Sequence, residues 1–236
     1  FVNERPMMTT LDAPFWLRWA REYNEGAYRA DYLRVYPEGS EKFRVLSVPQ
    51  EFKDPTTFRH KSENQEIHYR KIPLLSFLIA NLSHFFNYNY YLTGTLMVPV
   101  LASLFIFPLG MYFFKIGIPL AGLLGGLIGT FAQGYYLRSS IGRIDTDMLN
   151  LFFPALTSLL ILLASLAKSG RSVLIFSIGA GLSQFLFMWW YSKTGFVLVF
   201  FSVLVFILFI KQIRFHIILL SSFLFVLCSF PQNMMS

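Results

Sequence analysis

Asp145 and Asp147 are the residues whose type and spacing most clearly suggest chemistry in this chain. They are the only acidic residues after Ile72, in a stretch that is otherwise strongly apolar. Carboxylates are costly in a membrane environment and are usually retained there for a function. This acidic pair could hold a divalent cation, because Mg²⁺ and Mn²⁺ prefer oxygen ligands. Arg138 and Arg143 lie close by in the chain, and arginine is suited to binding phosphate, so the pattern is typical of a metal–diphosphate site.

Two other interpretations of the acidic pair are open. Asp147 directly precedes the apolar run that starts at Met148, so its carboxylate could cap that helix and interact favourably with the helix dipole. On spacing alone, capping is the simplest interpretation. The pair could also belong to an ion or proton pathway, although carboxylates on such pathways usually lie deeper within a helix.

The composition indicates a membrane protein. The chain is 55% hydrophobic and 18% aromatic, and only 14% of its residues are charged, which is too apolar for a soluble domain of 236 residues. Residues 1–71 hold eleven of the thirteen acidic residues, whereas the remainder carries eight basic residues and most of the net charge of +7. Basic loops of this kind contact anionic headgroups and set orientation, so the charge requires no nucleic-acid partner.

The apolar pattern predicts a polytopic all-α helix bundle preceded by a polar region. Residues 1–71 hold no apolar run of spanning length, and within them Asp12–Glu25 is predicted to be a helix, with Asp12 as its N-cap and Pro14 in its first turn. Residues 72–236 are the membrane region, and the short segment 72–86 suits an interfacial helix. Six spans are predicted to follow it, at 92–114, 118–137, 148–167, 172–191, 196–210 and 213–230.

The basic residues of the short loops orient this bundle, because loops rich in lysine and arginine remain cytoplasmic. Alternate loops on one side contain Lys115, Lys168, Arg171, Lys211 and Arg214. The acidic loop, residues 138–147, is then on the outer side. Two predicted spans separate it from residues 1–71, so both polar segments share that side. We therefore expect that Asp12 can meet the acidic pair.

Two motifs, in this order, resemble the catalytic subunit of oligosaccharyltransferase, and in particular the archaeal and bacterial single-subunit enzymes. The first is similar to that family's first external loop, here residues 1–71, and runs Leu11-Asp12-Ala-Pro-Phe-Trp, followed by Asp31-Tyr-Leu-Arg34. The second is similar to its second external loop and runs Arg138-x3-Gly142-x2-Asp145-Thr-Asp147-Met-Leu, followed by Phe152-Phe-Pro154. The resemblance covers roughly 9–191 and identifies the chain as the N-terminal membrane portion of such an enzyme.

The resemblance implies a transmembrane bundle of the GT-C glycosyltransferase type with a large polar external loop. It implies transfer of an oligosaccharide from a polyprenyl-diphosphate lipid to the Asn side chain of Asn-x-Ser/Thr in an acceptor polypeptide. By position, Asp12, Asp145 and Asp147 would be catalytic and would bind Mg²⁺ or Mn²⁺, and Arg138 would lie near the lipid diphosphate. Arg143 is not part of the family pattern. The implied location is a prokaryotic cell membrane rather than the ER, with the acidic loops outside.

The sequence also departs from the family pattern. The family has a further carboxylate in a later external loop, an acceptor-reading Trp-Trp-Asp motif and a first span that would precede residue 1. None of these is found here, so we expect the chain to be a fragment that is inactive alone. Trp189-Trp190-Tyr191 is not the acceptor-reading motif, because Ser192 follows it, and it is interpreted as an interfacial aromatic cluster.

Two rival functions remain to be weighed. Protein O-mannosyltransferases and related polyprenyl-linked GT-C enzymes tend to carry adjacent Asp-Glu in the first external loop, whereas Asp12 is followed here by Ala13. An ion-coupled transporter would need carboxylates at mid-membrane depth, and the acidic pair lies instead at the end of a predicted span. We therefore favour an oligosaccharyltransferase-like glycosyltransferase.

Overall fold

The computed structural model describes residues 12–25, 72–191 and 195–230, and all regular secondary structure within these ranges is helical. The prediction of an all-α membrane protein is confirmed. The described α-helices are α1 (Ala13–Asn24), α2 (Leu74–Leu82), α3 (Tyr90–Ser103), α4 (Ile106–Lys115), α5 (Pro119–Phe131), α6 (Gln133–Arg138), α7 (Phe152–Leu166), α8 (Gly170–Trp190), α9 (Gly195–Ile210) and α10 (Phe215–Ser229). Short 3₁₀ helices span Ser83–Phe86 and Thr146–Leu149. The rest of the predicted polar loop, 26–71, lies outside the described residues.

Helix boundaries follow local backbone chemistry. Pro14 lies in the first turn of α1, as predicted, where its missing N–H costs nothing. α3 and α4 form one helical stretch, Tyr90–Lys115, that changes to a turn at Leu104 and Phe105. α5 and α6 are separated at Ala132, whose ψ of 122° takes the chain out of the helical conformation.

Three of the described helical stretches are long and apolar enough to cross a membrane. They are Tyr90–Lys115, Thr146–Leu166 and Gly170–Trp190. Shorter apolar helices accompany them at Leu74–Phe86, Pro119–Phe131, Gly195–Ile210 and Phe215–Ser229. Helices are thus found at the positions of all six predicted spans and of the predicted interfacial segment. That the shorter helices after Leu74–Phe86 also cross the bilayer stays a prediction.

The helices pack around two clusters of buried side chains. The loop cluster joins α1, α2, α3, the region of the acidic loop and the end of α8, with Leu17, Leu75, Ile79, Val98, Ile144, Met148, Phe187 and Trp190 among its members. The bundle cluster joins α7, α8, α9 and α10, with Ile161, Val173, Ala180, Leu204, Leu208 and Phe225 among its members. α8 contributes to both clusters, so it connects the membrane bundle to the end that carries the acidic loop.

Buried hydrogen bonds between α7 and α8 add to this apolar packing. The Thr157 hydroxyl donates to the Ser183 hydroxyl at 2.9 Å, and Gln184 Nε2 lies 2.8 Å from Thr157 Oγ1. All three side chains are buried. Polar contacts of this kind help to hold helices together in lipid, where the hydrophobic effect between helices is weak.

Glycines mark the closest helix contacts. A Cβ atom on Gly181 of α8 would lie 2.6 Å from the Phe225 carbonyl oxygen of α10. On α5, a Cβ on Gly122 would lie 2.8 Å from Phe113 Cβ of α4, whereas a Cβ on Gly125 would meet nothing within 4 Å. The backbone of α5 is therefore closely packed at Gly122 and open at Gly125.

These glycines give a prediction for stability. Gly181→Ala should destabilise the protein by about 1–3 kcal/mol, because the new methyl group meets backbone that cannot move without separating α8 from α10. Gly125→Ala is the matched control, and it should be neutral or stabilising by up to about 1 kcal/mol, through helix propensity alone. Thermal unfolding in detergent measures both. Equal midpoints for the two variants would contradict the α8–α10 contact.

Candidate functional site

Hydrogen bonds as well as apolar packing hold α1 against α2. Asn24 Nδ2, at the end of α1, donates to the Ala80 carbonyl at 2.9 Å. The Ser76 hydroxyl of α2 donates to the Trp16 carbonyl at 3.0 Å. These contacts fix the rotation of α1 and its position along the α2 axis. They therefore determine where Asp12 lies.

The acidic loop is held in place by apolar residues rather than by its charges. Ile144 and Met148 are fully buried on either side of the acidic pair. The Tyr135 hydroxyl lies 3.1 Å from the Met148 carbonyl, to which it can donate. Gly142 has a φ of 87°, a left-handed conformation that a side-chain-bearing residue adopts only at a cost, and it turns the chain inward before Ile144.

The two segments meet on α3. A Cβ atom on Gly94 would lie 2.8 Å from Ile144 Cδ1 of the acidic loop and 3.2 Å from Leu17 Cδ2 of α1. Only a glycine at this position lets both side chains approach the α3 backbone so closely. Asp12 precedes α1 and Asp145 follows Ile144, so this contact brings the two carboxylates to the same end of the bundle.

Asp145 is the most perturbed of the three aspartates. Its Oδ1 accepts a hydrogen bond from the Thr146 N–H at 2.7 Å. Burial raises the pKa of the Asp145 carboxyl above its ordinary value, and the negative charges of Asp147 and Asp12 raise it further, whereas the Thr146 N–H and Arg143 lower it. The structure therefore brings the three predicted aspartates within electrostatic reach of one another, as expected from the topology.

Both carboxylate oxygens of Asp147 have partners, one in an ion pair and one in a hydrogen bond. Oδ2 lies 3.2 Å from Arg138 Nη1, and Oδ1 accepts a hydrogen bond from Asn150 Nδ2 at 3.2 Å. Asp147 lies inside the 3₁₀ helix Thr146–Leu149, and Asp145 occupies the N-cap position. The interpretation of Asp147 as a helix cap is therefore wrong, because the helix begins two residues earlier than the apolar run indicated.

Asp12 occupies the predicted N-cap position of α1, but its carboxylate does not cap. Its carbonyl accepts hydrogen bonds from the backbone of Phe15 and Trp16, at 3.0 and 3.2 Å, and its side chain makes no capping hydrogen bond. The side chain is exposed. The carboxylate of Asp12 is therefore not needed to satisfy the helix terminus.

The donor atoms of this site suit a hard cation in type and charge. Carboxylate oxygens are the ligands that Mg²⁺ and Mn²⁺ prefer. The pKa of Asp145 is raised by burial and then by the negative charges of Asp147 and Asp12, which a cation would offset. Within the described ranges, however, no group of three or more His, Cys, Asp or Glu side chains converges closely enough to hold one ion. The three aspartates thus fit a cation by their chemistry, and no coordination geometry follows from their positions.

The two arginines near the acidic pair differ in what they contact. The Arg138 guanidinium is paired with Asp147, and its side chain is 62% exposed. Arg143 Nε is buried, and it has no hydrogen-bond partner among the described residues. Arg143 lies near enough to Asp145 to lower its pKa, against the larger effect of burial. Arg143, which the sequence pattern left out, thus has a buried Nε without a partner among the described residues, whereas Arg138 uses Nη1 to contact Asp147.

Two further residues of the site could not be recognised from the sequence. Tyr135 and Trp190 both bond to backbone carbonyls beside the acidic pair, those of Met148 and Thr146. The doublet Trp189-Trp190 was interpreted as an interfacial aromatic cluster. Its only sequence signal was its position at the end of a predicted span, and that signal does not reveal the hydrogen bonds of the indole groups.

Comparison with known proteins identifies a family. The family model described as oligosaccharyl transferase STT3, N-terminal, matches residues 62–235. Two proteins from different strains of Campylobacter jejuni, each named undecaprenyl-diphosphooligosaccharide–protein glycotransferase, are 22% identical over 180 residues. Each match covers 76% of this chain and 23% of the relative, so the chain spans about a quarter of the length of the curated relatives it matches. The family match includes the acidic loop, and Asp12 lies outside it.

The site itself generates a prediction for stability. Asp145→Asn keeps the shape of the side chain and its acceptor to Thr146 but removes the charge. Because the fold raises the pKa of Asp145 above its unfolded value, stability is lost as the pH rises through the unfolded and then the folded pKa. In the presence of a chelator near neutral pH, the Asn variant should therefore unfold at a higher temperature than the wild type.

Asp147→Asn is the comparison variant for this measurement. It weakens the contact with Arg138 and the hydrogen bond from Asn150, so its unfolding temperature should be unchanged or lower. A stabilised Asp147→Asn protein, or an Asp145→Asn protein that melts below the wild type at neutral pH, would contradict the electrostatic description of the site.

Proposed function

This chain belongs to the oligosaccharyl transferase STT3 family, and we propose that it carries part of the active site of a glycosyltransferase that acts on a lipid-linked oligosaccharide. The observation that supports this most directly is the meeting of Asp12 with the acidic pair at one end of an apolar helix bundle. A polyprenyl-diphosphate donor has its reactive group at the membrane–water boundary. Carboxylates at the end of a bundle, rather than at its centre, suit such a substrate.

We propose that the acceptor is the Asn side chain of an Asn-x-Ser/Thr segment in a polypeptide. The amide nitrogen is a poor nucleophile, so catalysis needs groups that hold it in a reactive arrangement. Asp12 and Asp145 are suited to accept hydrogen bonds from the two amide hydrogens. Formation of the bond from the amide nitrogen to the sugar carbon accompanies departure of the lipid diphosphate, and a carboxylate at this position can take up the proton that the nitrogen loses.

We further propose that Asp145, Asp147 and Asp12 bind Mg²⁺ or Mn²⁺. A bound cation would neutralise charge on the departing diphosphate. The contact of Arg138 with Asp147 orients that carboxylate, and Arg138 also lies close enough to contribute to binding of the diphosphate. Arg143, which is not part of the family pattern, supplies a second cationic group whose Nε has no hydrogen-bond partner among the described residues.

The setting that we propose is a prokaryotic cell membrane with the acidic loop outside. The bacterial relatives support this, since their names specify an undecaprenyl-diphosphooligosaccharide donor and a protein acceptor. The distribution of basic residues supports the orientation, because Lys115, Lys168 and Arg171 lie at the ends of the helices opposite the acidic loop.

The carboxylates give the primary test of function. In the intact protein, Asp12→Asn, Asp145→Asn and Asp147→Asn should each lower kcat/KM by about a hundredfold or more, the effect typical of removing one group that stabilises a transition state. The assay follows transfer of oligosaccharide from an undecaprenyl-diphosphate donor to an Asn-x-Thr peptide, with Mn²⁺ and with a chelator. Glu25→Gln, which removes an exposed carboxylate directly after α1, is the control and should leave the rate unchanged.

Two results would argue against this function. Transfer that is undiminished in the Asp145→Asn and Asp147→Asn variants would remove the acidic pair from the mechanism. Transfer that is equal with Mn²⁺ and with chelator would remove the cation and leave the carboxylates with a metal-free role.

The Nε of Arg143, which has no partner among the described residues, gives a second prediction. Arg143→Gln should raise the donor KM by about tenfold, the equivalent of about 1.4 kcal/mol, and should leave the acceptor KM unchanged. Arg143→Lys should recover only part of the loss, because an ammonium group keeps the charge but not the planar fork. Arg21→Gln, an exposed arginine of α1, serves as the control. A donor KM that stays at the wild-type value in Arg143→Gln would exclude a contact with the diphosphate.

A further inference from the structure

Tandem tryptophans at the end of α8 bond to two separate backbone segments of the site. Trp190 Nε1 donates to the Thr146 carbonyl at 2.5 Å, and Trp189 Nε1 donates to the Ile72 carbonyl at 2.7 Å. An indole N–H is a donor only, so each ring can make one such bond. The pair thus contacts the acidic loop with one ring and the entry to α2 with the other.

The bond of Trp190 acts at the residue between the two aspartates. The Thr146 carbonyl and the Asp147 N–H belong to one rigid peptide plane. A hydrogen bond to that carbonyl therefore fixes the plane from which the Asp147 side chain departs. On the other side of the same residue, the Thr146 N–H donates to Asp145 Oδ1 at 2.7 Å. The orientation of Thr146 thus determines where both carboxylates point.

The surroundings of Trp190 make this bond well defined. Its ring is only 4% exposed and packs in the loop cluster with Ile144 and Met148, which are completely buried. These two side chains hold the loop against the bundle at its edges, but they do not set the rotation of the peptide plane between them. The indole N–H is a directional contact at that plane.

The hydrogen bond of Trp189 goes to the Ile72 carbonyl rather than to the acidic loop, so Trp189 can be compared with Trp190. Its ring lies 5.6 Å from that of Phe77 in α2, and Phe77 lies 5.8 Å from Tyr23 in α1. Trp189 therefore supports the helices that carry Asp12, and it does not bond to the acidic loop. Replacement of either tryptophan removes the same chemical group from adjacent positions of one helix.

We propose that Trp190 is a positioning residue for the catalytic site, which sets the direction of the Asp145 and Asp147 carboxylates through its hydrogen bond to the Thr146 carbonyl. This inference rests on the proposed function of the acidic pair as ligands of a divalent cation. Residues that orient metal ligands commonly change metal affinity by about 10–100-fold when they are replaced.

The experiment compares three Trp→Phe variants of the intact protein in detergent. Trp190→Phe and Trp189→Phe each remove one bonded N–H. Trp16→Phe is the matched control, because Trp16 Nε1 is buried and has no hydrogen-bond partner within the described ranges. Hydrogen exchange is measured for the peptides that cover 144–150 and 72–77, and Mn²⁺ binding is measured by electron paramagnetic resonance of the free ion. Thermal unfolding separates the effect of the smaller ring from that of the lost bond.

The expected pattern is specific to each variant. Trp190→Phe should accelerate exchange in 144–150 and weaken Mn²⁺ binding by about tenfold. Trp189→Phe should accelerate exchange in 72–77 and change Mn²⁺ binding by less than about threefold, because its bond ends outside the acidic loop. Trp16→Phe should leave both measurements at the wild-type values.

Two outcomes would overturn the inference. Exchange in 144–150 that is equal in the wild type and Trp190→Phe would mean that the bond does not hold the loop. Faster exchange with unchanged Mn²⁺ binding would mean that the bond holds the loop without positioning the ligands. Failure of the proposed function is distinguishable, since the wild type and Asp145→Asn would then bind Mn²⁺ equally, and hydrogen exchange alone would decide whether Trp190 orders the loop.

Discussion

The complete burial of Ile144 and Met148 is the constraint on which the rest of this site depends. The acidic loop has few contacts that could hold it by charge, because carboxylates at one end of an apolar bundle repel one another. Its apolar residues anchor it instead, and Gly94 on α3 leaves the space in which Ile144 and Leu17 meet. Because Leu17 belongs to α1, the same contact locates Asp12, and two segments far apart in the sequence form one end of the bundle.

In this arrangement the ionised form of Asp145 is electrostatically unfavourable. Burial and like charges both oppose ionisation of Asp145, and the Thr146 N–H and the positive charge of Arg143 only partly offset them. Polar groups held in an unfavourable state are more typical of functional sites than of positions that serve stability. A cation, or a substrate that donates hydrogen bonds to these carboxylates, would relieve that cost. Without a bound cation or substrate, the site is therefore less stable than a site with a single carboxylate would be. The same clustered charges that suit it to the proposed function lower the stability of the fold.

The sequence predicted the helices and the approach of Asp12 to the acidic pair, because both follow from apolar periodicity and from the placement of charges. It did not predict which residues position the acidic pair. Trp190 and Tyr135 act through hydrogen bonds to carbonyls remote in sequence, with Tyr135 lying between those of Ala102 and Met148, and the burial of Arg143 Nε is a tertiary feature. The capping interpretation of Asp147 failed for a related reason, since the 3₁₀ turn at Thr146–Leu149 starts in polar sequence where apolar periodicity gives no signal.

The two helical stretches on either side of the Leu166–Gly170 turn match the thickness of a membrane in length. Thr146–Leu166 and Gly170–Trp190 each contain 21 residues and form an antiparallel hairpin with a short turn between Leu166 and Gly170. At a rise of about 1.5 Å per residue, each is about 31 Å long, close to the thickness of about 30 Å of a hydrocarbon core. The hydrogen bond from Trp190 to Thr146 joins the two open ends of this hairpin, so the matched helix lengths place the acidic pair about one hydrocarbon thickness away from the turn between Leu166 and Gly170.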